Sequence, residues 1–281
     1  MKKITLLAAA FCLTVGGVFA QNNSVNSTIA GDASQIDVVQ LGNTNNVLNE
    51  VTGNDNRIGF RQEGLENGSA ATFAGNNIVS TTRQTEGDRN NVVQSLSGDN
   101  IQSALLHTGS DNVTNQNIVG NDNVTEILLT GNTNTVIQTM DGASNNASLI
   151  STGNDNRITS GQTGGNMGIL AEQAGNGNTA VLSQENSVNF IDAIQEGNGN
   201  SATIFQTGNN NVAGDGGNRT VQLGDDNQLS IIQDGATNAA FSTQTGGANT
   251  TALNQLGDGN SIISNVTGNG NVHNVTQNIN N

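Results

Sequence analysis

The sequence predicts an all-β protein, a single-domain β-solenoid of about eleven rungs with two strands in each rung. Three features indicate this fold: glycine recurs every eleven residues, apolar and polar side chains alternate between the glycines, and proline is absent. Self-similarity at a short fixed period is typical of stacked repeats, which bury a continuous core between neighbours. An alternation with a period of two indicates strands, because a helix would need a period of 3.6.

Glycine marks the repeat along almost the whole chain. Counted from Gly31, the marks are eleven residues apart, with one extra residue before Gly87 and five before Gly224. The series has 22 marks, and Asn186 occupies one of them in place of glycine. Glycine adopts positive φ without strain and therefore suits tight turns. The predicted turn glycines include Gly42, Gly53, Gly120, Gly131, Gly153, Gly197, Gly224 and Gly257.

The residues between two marks follow a fixed order. In the unit that starts at Gly197, counted as position 0, the odd positions 3, 5, 7 and 9 hold Asn200, Ala202, Ile204 and Gln206. Asparagine occupies position 3 in 18 of the 22 units. Because alternate residues of a strand point to the same side, the odd positions should share the inward face. Each unit is therefore predicted to be one turn followed by a strand of about six residues.

In the N-terminal half, the inward residues repeat every 22 residues. Two series keep this spacing: Gln94, Gln116 and Gln138, and Leu105, Ile127 and Leu149. Rungs of 22 residues would stack about 4.8 Å apart and place identical side chains above one another. Stacked Asn and Gln amides can then hydrogen-bond along the stack, as they do in cross-β assemblies. The predicted self-assembly ladder comprises Asn45, Asn56, Gln62, Gln94, Gln116, Gln138, Gln184, Asn200, Gln206, Asn227, Gln233, Asn238, Gln244, Asn260 and Asn271.

The chain is predicted to have two parts. Residues 1–20 combine Lys2 and Lys3 with an apolar run that ends at Ala20, which is typical of a secretory signal peptide. Residues 21–281 form one array of about 22 half-repeats of eleven residues, and the five extra residues at 214–218 suggest a bulged turn. The array contains no segment with the polar sequence of a cap, so both ends of the stack are predicted to be open edges.

Composition excludes several classes of function. Without residues 1–20, the chain keeps six arginines against 23 acidic residues and contains no lysine and no cysteine. Such a chain has no basic patch for nucleic acid or for an anionic membrane surface, and it gains no stability from disulfides. Beyond residue 20, no apolar run reaches the roughly 18 residues of a membrane helix. We therefore expect no nucleic-acid partner and no membrane insertion.

The sequence contains no pattern that indicates catalysis or a cofactor. His107 and His273 are far apart in predicted ladder positions, and the acidic residues form no evident pair. We therefore predict no catalytic, cofactor-binding or metal-binding residues. One alternative concerns the turns with aspartate, such as that of Gly53-Asn54-Asp55-Asn56, whose oxygen atoms could bind Ca²⁺. Their period of eleven differs from that of nonapeptide calcium repeats, so ordinary Asp and Asn turns are the favoured interpretation.

The unit resembles the curlin repeat, in which Gln precedes Gly-x-x-Asn-x-Ala and a further Gln follows. Here Gln195-Glu196-Gly197-Asn198-Gly199-Asn200-Ser201-Ala202 is followed by Gln206, and Gln233-Asp234-Gly235-Ala236-Thr237-Asn238-Ala239-Ala240 repeats the pattern. The resemblance implies a subunit of extracellular amyloid fibres in bacterial biofilm matrix, with roles in adhesion and surface colonisation. It also implies three partners: further copies of the chain, a nucleator subunit and an outer-membrane secretion pore.

The chain departs from the curlin pattern in three ways. It has about twice the usual number of rungs, it lacks a Gly/Asn-rich leader between signal peptide and repeats, and it contains no tyrosine. The alternative to a fibre subunit is a monomeric secreted or surface solenoid that acts as an adhesin or binds a ligand. Such a monomer would need caps, and ice binding would need a regular outward row of threonine. The outward residues are mixed, as Ser201, Thr203 and Phe205 illustrate.

Overall fold

The computed structural model describes residues 22–214 and 219–279, and in this part of the chain it consists of β-strands joined by short turns. The strands form two parallel sheets, and successive strands of the chain alternate between them. The prediction of an all-β solenoid of about eleven turns is confirmed. The predicted signal peptide, residues 1–20, lies outside the described residues. Within the described ranges, no helix is long and apolar enough to cross a membrane.

Sheet A has twelve strands in the order of the chain. They are β1 (Ser24–Ala30), β3 (Asn46–Thr52), β5 (Gly68–Ala74), β7 (Asn91–Ser97), β9 (Val113–Val119), β11 (Thr135–Ala143), β13 (Arg157–Gly165), β15 (Thr179–Ser187), β17 (Ser201–Asn209), β20 (Gln228–Asp234), β22 (Thr250–Gly257) and β24 (Val272–Ile279). Each strand pairs with the next strand of the same sheet, so the sheet is a continuous stack.

Sheet B is built from the strands between them. They are β2 (Gln35–Asn43), β4 (Arg57–Leu65), β6 (Val79–Thr85), β8 (Gln102–Thr108), β10 (Val124–Thr130), β12 (Asn146–Thr152), β14 (Gly168–Ala174), β16 (Phe190–Glu196), β18 (Val212–Ala213), β19 (Thr220–Leu223), β21 (Ala239–Thr245) and β23 (Ser261–Thr267). The short strands β18 and β19 both pair with β16 and with β21, so they share one layer of the stack.

The register of the sheets confirms the rung of 22 residues. Gln94 pairs with Gln116 and Gln116 with Gln138 in sheet A, and Leu105, Ile127 and Leu149 pair in the same way in sheet B. The odd positions of the units point between the two sheets, where side chains such as Phe73 and Ile204 are fully buried. Alternate residues face solvent, because side chains of a strand point to opposite sides in turn. The core is therefore a narrow column that runs the length of the stack.

Glycine is required at the corners for two reasons. Gly131 has a φ of 106°, and a Cβ at this position would lie 2.0 Å from the carbonyl oxygen of Gly153 in the next rung. The first reason is conformational, because side chains strain the backbone at such φ values. The second reason is steric, because the backbones of stacked corners lie too close together to leave room for a Cβ atom. Asn186, which replaces glycine at one mark, also has a positive φ, of 80°.

The five extra residues predicted at 214–218 fall between β18 and β19; the bulged turn itself stays a prediction, because residues 215–218 lie outside the described residues. Ala213 pairs with Ile191, and Thr220 pairs with Ala193 two residues further along the same strand. The strand β18 ends at Ala213, and β19 continues the same layer of sheet B in register from Thr220.

We predict that Gly131→Ala destabilises the stack, because the new methyl group combines an unfavourable φ with the close approach to Gly153. The expected loss is at least about 2 kcal/mol. The measurement is the guanidinium midpoint of the β-sheet circular-dichroism signal. Gly59→Ala is the matched control, since a Cβ at Gly59 would come no closer than 4.0 Å to its nearest neighbour. Equal midpoints for the two variants would contradict the corner argument.

Candidate functional site

Columns of glutamine amides run through the interior of the stack. In sheet A, Gln94 Nε2 donates to Gln116 Oε1 at 2.9 Å, and Gln116 Nε2 donates to Gln138 Oε1 at 2.7 Å. A second column, at position 9, links Gln184, Gln206, Gln233 and Gln255 in the same way at 2.8 to 2.9 Å. In every one of these bonds the lower-numbered residue donates. A buried amide without a partner is unfavourable, so a glutamine that follows another glutamine in register gains a hydrogen bond between the rungs.

A column of asparagines at position 3 joins the strands to the corners. The Oδ1 atom of Asn112 accepts the backbone N–H of Asn134 at 3.0 Å, and its Nδ2 donates to the carbonyl of Gly131 at 2.8 Å. The same pair of bonds recurs at Asn156, whose Oδ1 accepts from Asn178 and whose Nδ2 donates to Gly175. One side chain thus satisfies a backbone donor and a corner carbonyl that would otherwise be buried and unpaired.

The structure places the predicted ladder residues in these two kinds of column. The residues that are almost completely buried are Asn45, Asn56, Gln62, Gln94, Gln116, Gln138, Gln184, Asn200, Gln206, Asn227, Gln233, Asn238, Gln244 and Asn260. Asn271 is exposed, because it precedes β24, the last strand of sheet A. The predicted turn glycines have φ values between 87° and 115°; they are Gly42, Gly53, Gly120, Gly131, Gly153, Gly197, Gly224 and Gly257. Their part in assembly remains a prediction.

Sequence reasoning missed a second ladder, on the outside of the corners. Asn54 Oδ1 accepts the backbone N–H of Asp32 at 2.8 Å, and Asn76 Oδ1 accepts that of Asn54 at 2.9 Å. The opposite corner carries an equivalent series that includes Asn132, Asn154, Asn176 and Asn198. The signal was present in the sequence, because Asn or Asp recurs at position 1 as well as at position 3.

A buried carboxylate beside the insertion was also missed. Asp192 lies at an outward position of β16, yet its side chain is only 3 % exposed, and Arg219 Nε lies 3.2 Å from its Oδ2. Arg219 belongs to the segment that returns the chain to the sheet. A signal exists in hindsight, since Arg219 falls opposite Asp192 once the five extra residues are removed from the count.

Columns of unlike residues meet at a few places inside the stack. Gln162 follows Met140 in sheet A, and Gln173 follows Ser151 in sheet B. At both junctions the Oε1 atom of the glutamine is buried without a hydrogen-bond partner. Such unpaired atoms are unfavourable. Both occur where a column of glutamines begins next to a side chain that is not glutamine.

His107 replaces glutamine in a column of sheet B. It follows Gln84 in register, is fully buried, and its Nε2 lies 2.7 Å from Thr114 Oγ1. Its Nδ1 has no hydrogen-bond partner in the described part of the chain. Burial disfavours the charged imidazolium and lowers the pKa of His107 to about 3. His107 is therefore neutral near pH 7 and acts as a structural part of the column.

The described residues contain no group of three or more His, Cys, Asp or Glu side chains that could hold a metal ion. Among the turns considered for Ca²⁺, one aspartate takes part in the corner ladder: Asp225 Oδ1 accepts the backbone N–H of Asn198 at 2.8 Å. Ordinary Asp and Asn turns remain the favoured interpretation. Each layer presents the hydrogen-bonding groups that pair with the next layer, so the geometry allows further layers to be added at the ends of the stack.

The comparison with protein families agrees with this geometry. The model of the curlin associated repeat matches residues 189–214 and 224–257. These two segments of the chain carry the curlin associated repeat. The two matches support membership of the curlin family, and they cover strands β16 to β18 and β20 to β22. No curated protein matched the chain in a sequence search.

We predict that Gln116→Ala destabilises the chain more than Asn117→Ala does. Gln116 bonds to both neighbours in its column, whereas Asn117 is exposed on the same strand. Truncation of Gln116 leaves two buried amides incompletely paired, which costs about 1–3 kcal/mol. Denaturant midpoints of the two variants check the prediction. A loss confined to Asn117→Ala would show that the interior column does not hold the rungs together.

We predict that the stability of the chain falls as the pH is lowered through the range from about 6.5 to 3, and that His107→Gln reduces this fall. The pKa of His107 is lower in the folded chain, so the unfolded chain binds more protons in this range and is favoured by acid. The expected difference between parent and variant is roughly 2 kcal/mol at pH 5 relative to pH 7. Parallel pH profiles for both proteins would contradict it, and His273→Gln serves as the control.

Proposed function

We propose that the chain is a self-assembling structural subunit of extracellular, curli-type amyloid fibres. The observation that carries the proposal is the open hydrogen-bonding edge at each end of the described stack. Strands β1 and β2 each pair on one side only, and so do β23 and β24. An unpaired strand edge is a template for a further strand, and a further copy of the same chain supplies a strand of matching length and register.

The direction of the backbone groups shows which donors are available. Ser24 N–H, at position 4 of its unit, donates to the carbonyl of Asn45 in the next layer at 2.8 Å, so the N–H at this strand position points toward higher-numbered layers. The amides at positions 6 and 8 point the same way, because strand residues alternate. In the last layers these are the N–H groups of Asn265 in β23 and of Thr276 in β24. They therefore point out of the stack.

The remaining parts of the proposal follow from family resemblance. Residues 1–20 would direct export, and residues 21–281 would form the fibre in a biofilm matrix, where it serves adhesion and surface colonisation. A nucleator subunit and an outer-membrane pore are the proposed partners besides the chain itself. The role is structural and not enzymatic, in keeping with a curlin repeat whose interior residues are occupied with one another. A monomeric surface solenoid is the alternative that the experiment must exclude.

The test uses purified residues 21–281 released from denaturant. We expect fibres that seed further growth and give the cross-β reflection at about 4.7–4.8 Å. A stable, soluble monomer whose state does not change with concentration would refute the proposal and favour the alternative.

A paired variant sharpens the test. Asn265→Pro with Thr276→Pro removes two outward N–H groups that serve no neighbour within the chain, and proline is tolerated on an edge strand. We expect elongation to slow by roughly tenfold or more, because each lost ladder bond is worth about 1 kcal/mol. Asn265→Ala with Thr276→Ala is the control and should elongate like the parent.

A further inference from the structure

The two sheets of the described chain contain different numbers of layers. Sheet A has twelve strands, whereas sheet B has eleven layers, because β18 and β19 share one. The described stack therefore makes an odd number of half-turns, 23. It begins with β1 in sheet A and ends with β24 in sheet A. This imbalance constrains how a second copy can continue the stack.

The two sheets are interchangeable in their backbone. Successive strands lie in opposite sheets, so a half-turn about the stack axis with a rise of about 2.4 Å relates each strand to the next. Both kinds of corner use positive φ values at the glycine and two residues later. Gly120 and Gly131, at opposite corners, have φ values of 112° and 106°, and Asp122 and Thr133 two residues later have values of 57° and 62°. A strand that belongs to sheet A can therefore extend sheet B.

The odd number of half-turns decides between two ways of stacking copies. If sheet A of one copy continues sheet A of the next, sheet B is one strand short at every junction, and a layer of the core is left open. If the second copy is turned by half a turn, its sheet A continues sheet B of the first. Every two copies then supply the same number of strands to both sheets, and no layer is empty.

We propose that copies of this chain stack end to end with a half-turn between them, so that β1 of one copy pairs with β23 of its neighbour and β2 pairs with β24. The inference rests on the proposed function as a fibre subunit and specifies its interface. The partner is a second copy of the same chain, and the surface is the pair of open edges described above.

The inward residues of the first pair of strands match in this arrangement. Counted by position in the eleven-residue unit, β23 presents Ile262, Ser264 and Val266 at positions 5, 7 and 9. The strand β1 presents Val25, Ser27 and Ile29 at the same positions. Apolar side chains therefore meet apolar side chains, and serine meets serine.

The second pair of strands matches almost as well. The strand β24 presents His273, Val275 and Gln277, and β2 presents Ile36, Val38 and Gln40. Valine meets valine, glutamine meets glutamine, and only His273 meets an unlike residue. In the arrangement without the half-turn, Gln277 would meet Ile29 and Val266 would meet Gln40. Both glutamine columns would then abut aliphatic side chains.

Hydrogen bonding favours the half-turn for the same reason. Glutamine columns that start on Met140 and on Ser151 leave Gln162 Oε1 and Gln173 Oε1 buried and unpaired. Stacking without the half-turn would place Gln40 on Val266 and Ile29 on Gln277, so neither glutamine would meet another across the interface. With the half-turn, Gln277, whose Oε1 has no hydrogen-bond partner in the described chain, lies above Gln255 and below Gln40 of the next copy.

The polarity of the column also fits. Gln40 Nε2 donates to Gln62 Oε1 at 2.8 Å, as the lower-numbered glutamine does throughout the columns. Its Oε1 accepts no hydrogen bond within the described part of the chain and faces the preceding layer. In the proposed stack, that layer belongs to the preceding copy and holds Gln277. Its Nε2 can therefore donate to Gln40 Oε1 in the direction that the rest of the column follows.

Disulfide trapping distinguishes the two arrangements, because residues 21–281 contain no cysteine. Thr28→Cys with Asn265→Cys places exposed thiols at position 8 of β1 and β23, which adjoin only with the half-turn. Thr28→Cys with Thr276→Cys uses β24 instead and adjoins only without it. Paired positions lie about 5 Å apart, within reach of a disulfide. Within one chain the two cysteines are separated by the length of the stack, roughly 50 Å, so a bond joins two copies.

We expect oxidised fibres of the first variant to dissolve in denaturant as covalent dimers and longer oligomers, and fibres of the second variant to dissolve as single chains. Crosslinks in the second variant alone would overturn the half-turn. Fibres that form without crosslinks in either variant would overturn it as well and leave the fibre function standing. Failure of both variants and of the parent to form fibres would refute the proposed function itself.

An independent measurement is the axial repeat in electron micrographs of the parent fibre. Copies related by a half-turn repeat only after two subunits, or 23 layers of about 4.8 Å, which is close to 110 Å. An axial repeat after a single subunit would contradict the proposal. The length of that repeat would be near 55 Å, or one layer more.

Discussion

The parallel, in-register backbone ladder is the interaction on which the rest of this structure depends. Because each strand pairs with the strand 22 residues away, every inward side chain lies above its counterpart in the next rung. Register therefore decides whether a buried amide finds another amide. It also brings the corners so close that Gly131 has no space for a side chain. The need for glycine at the corners, and for asparagine and glutamine in the columns, follows from this in-register stacking of the strands.

The interior combines two kinds of stabilisation that differ in specificity. Aliphatic columns such as that of Leu105, Ile127 and Leu149 gain from burial and accept any apolar neighbour of similar size. Glutamine columns are more selective, because a buried amide is costly unless another amide, a hydroxyl or a backbone carbonyl pairs with it. The chain contains both, and it changes from apolar to glutamine at position 9 of sheet A between Met140 and Gln162. The two ends of the stack consequently differ in chemistry, which gives each end a preferred neighbour.

His107 and Asp192 depart from the repeat, and the stack accommodates each in a different way. His107 stays neutral within a glutamine column, and burial lowers its pKa. Asp192 lies beside Arg219 at an outward strand position, where most other side chains of the stack are not buried. Both positions would be unfavourable in isolation. Their neighbours compensate: Thr114 lies beside His107, and Arg219, on the other side of the insertion, lies beside Asp192.

The sequence by itself determined the repeat, the strands, the turns and the inward residues. Each of these depends on local alternation and on glycine conformation, which eleven consecutive residues display. The tertiary structure alone decided that β18 and β19 share one layer of sheet B, that Asp192 is buried, and that the Asn and Asp residues at position 1 hydrogen-bond between rungs. It also decided that sheet A exceeds sheet B by one layer. These features depend on which segments lie side by side, and that pairing follows from the closure of the whole rung and not from any single unit.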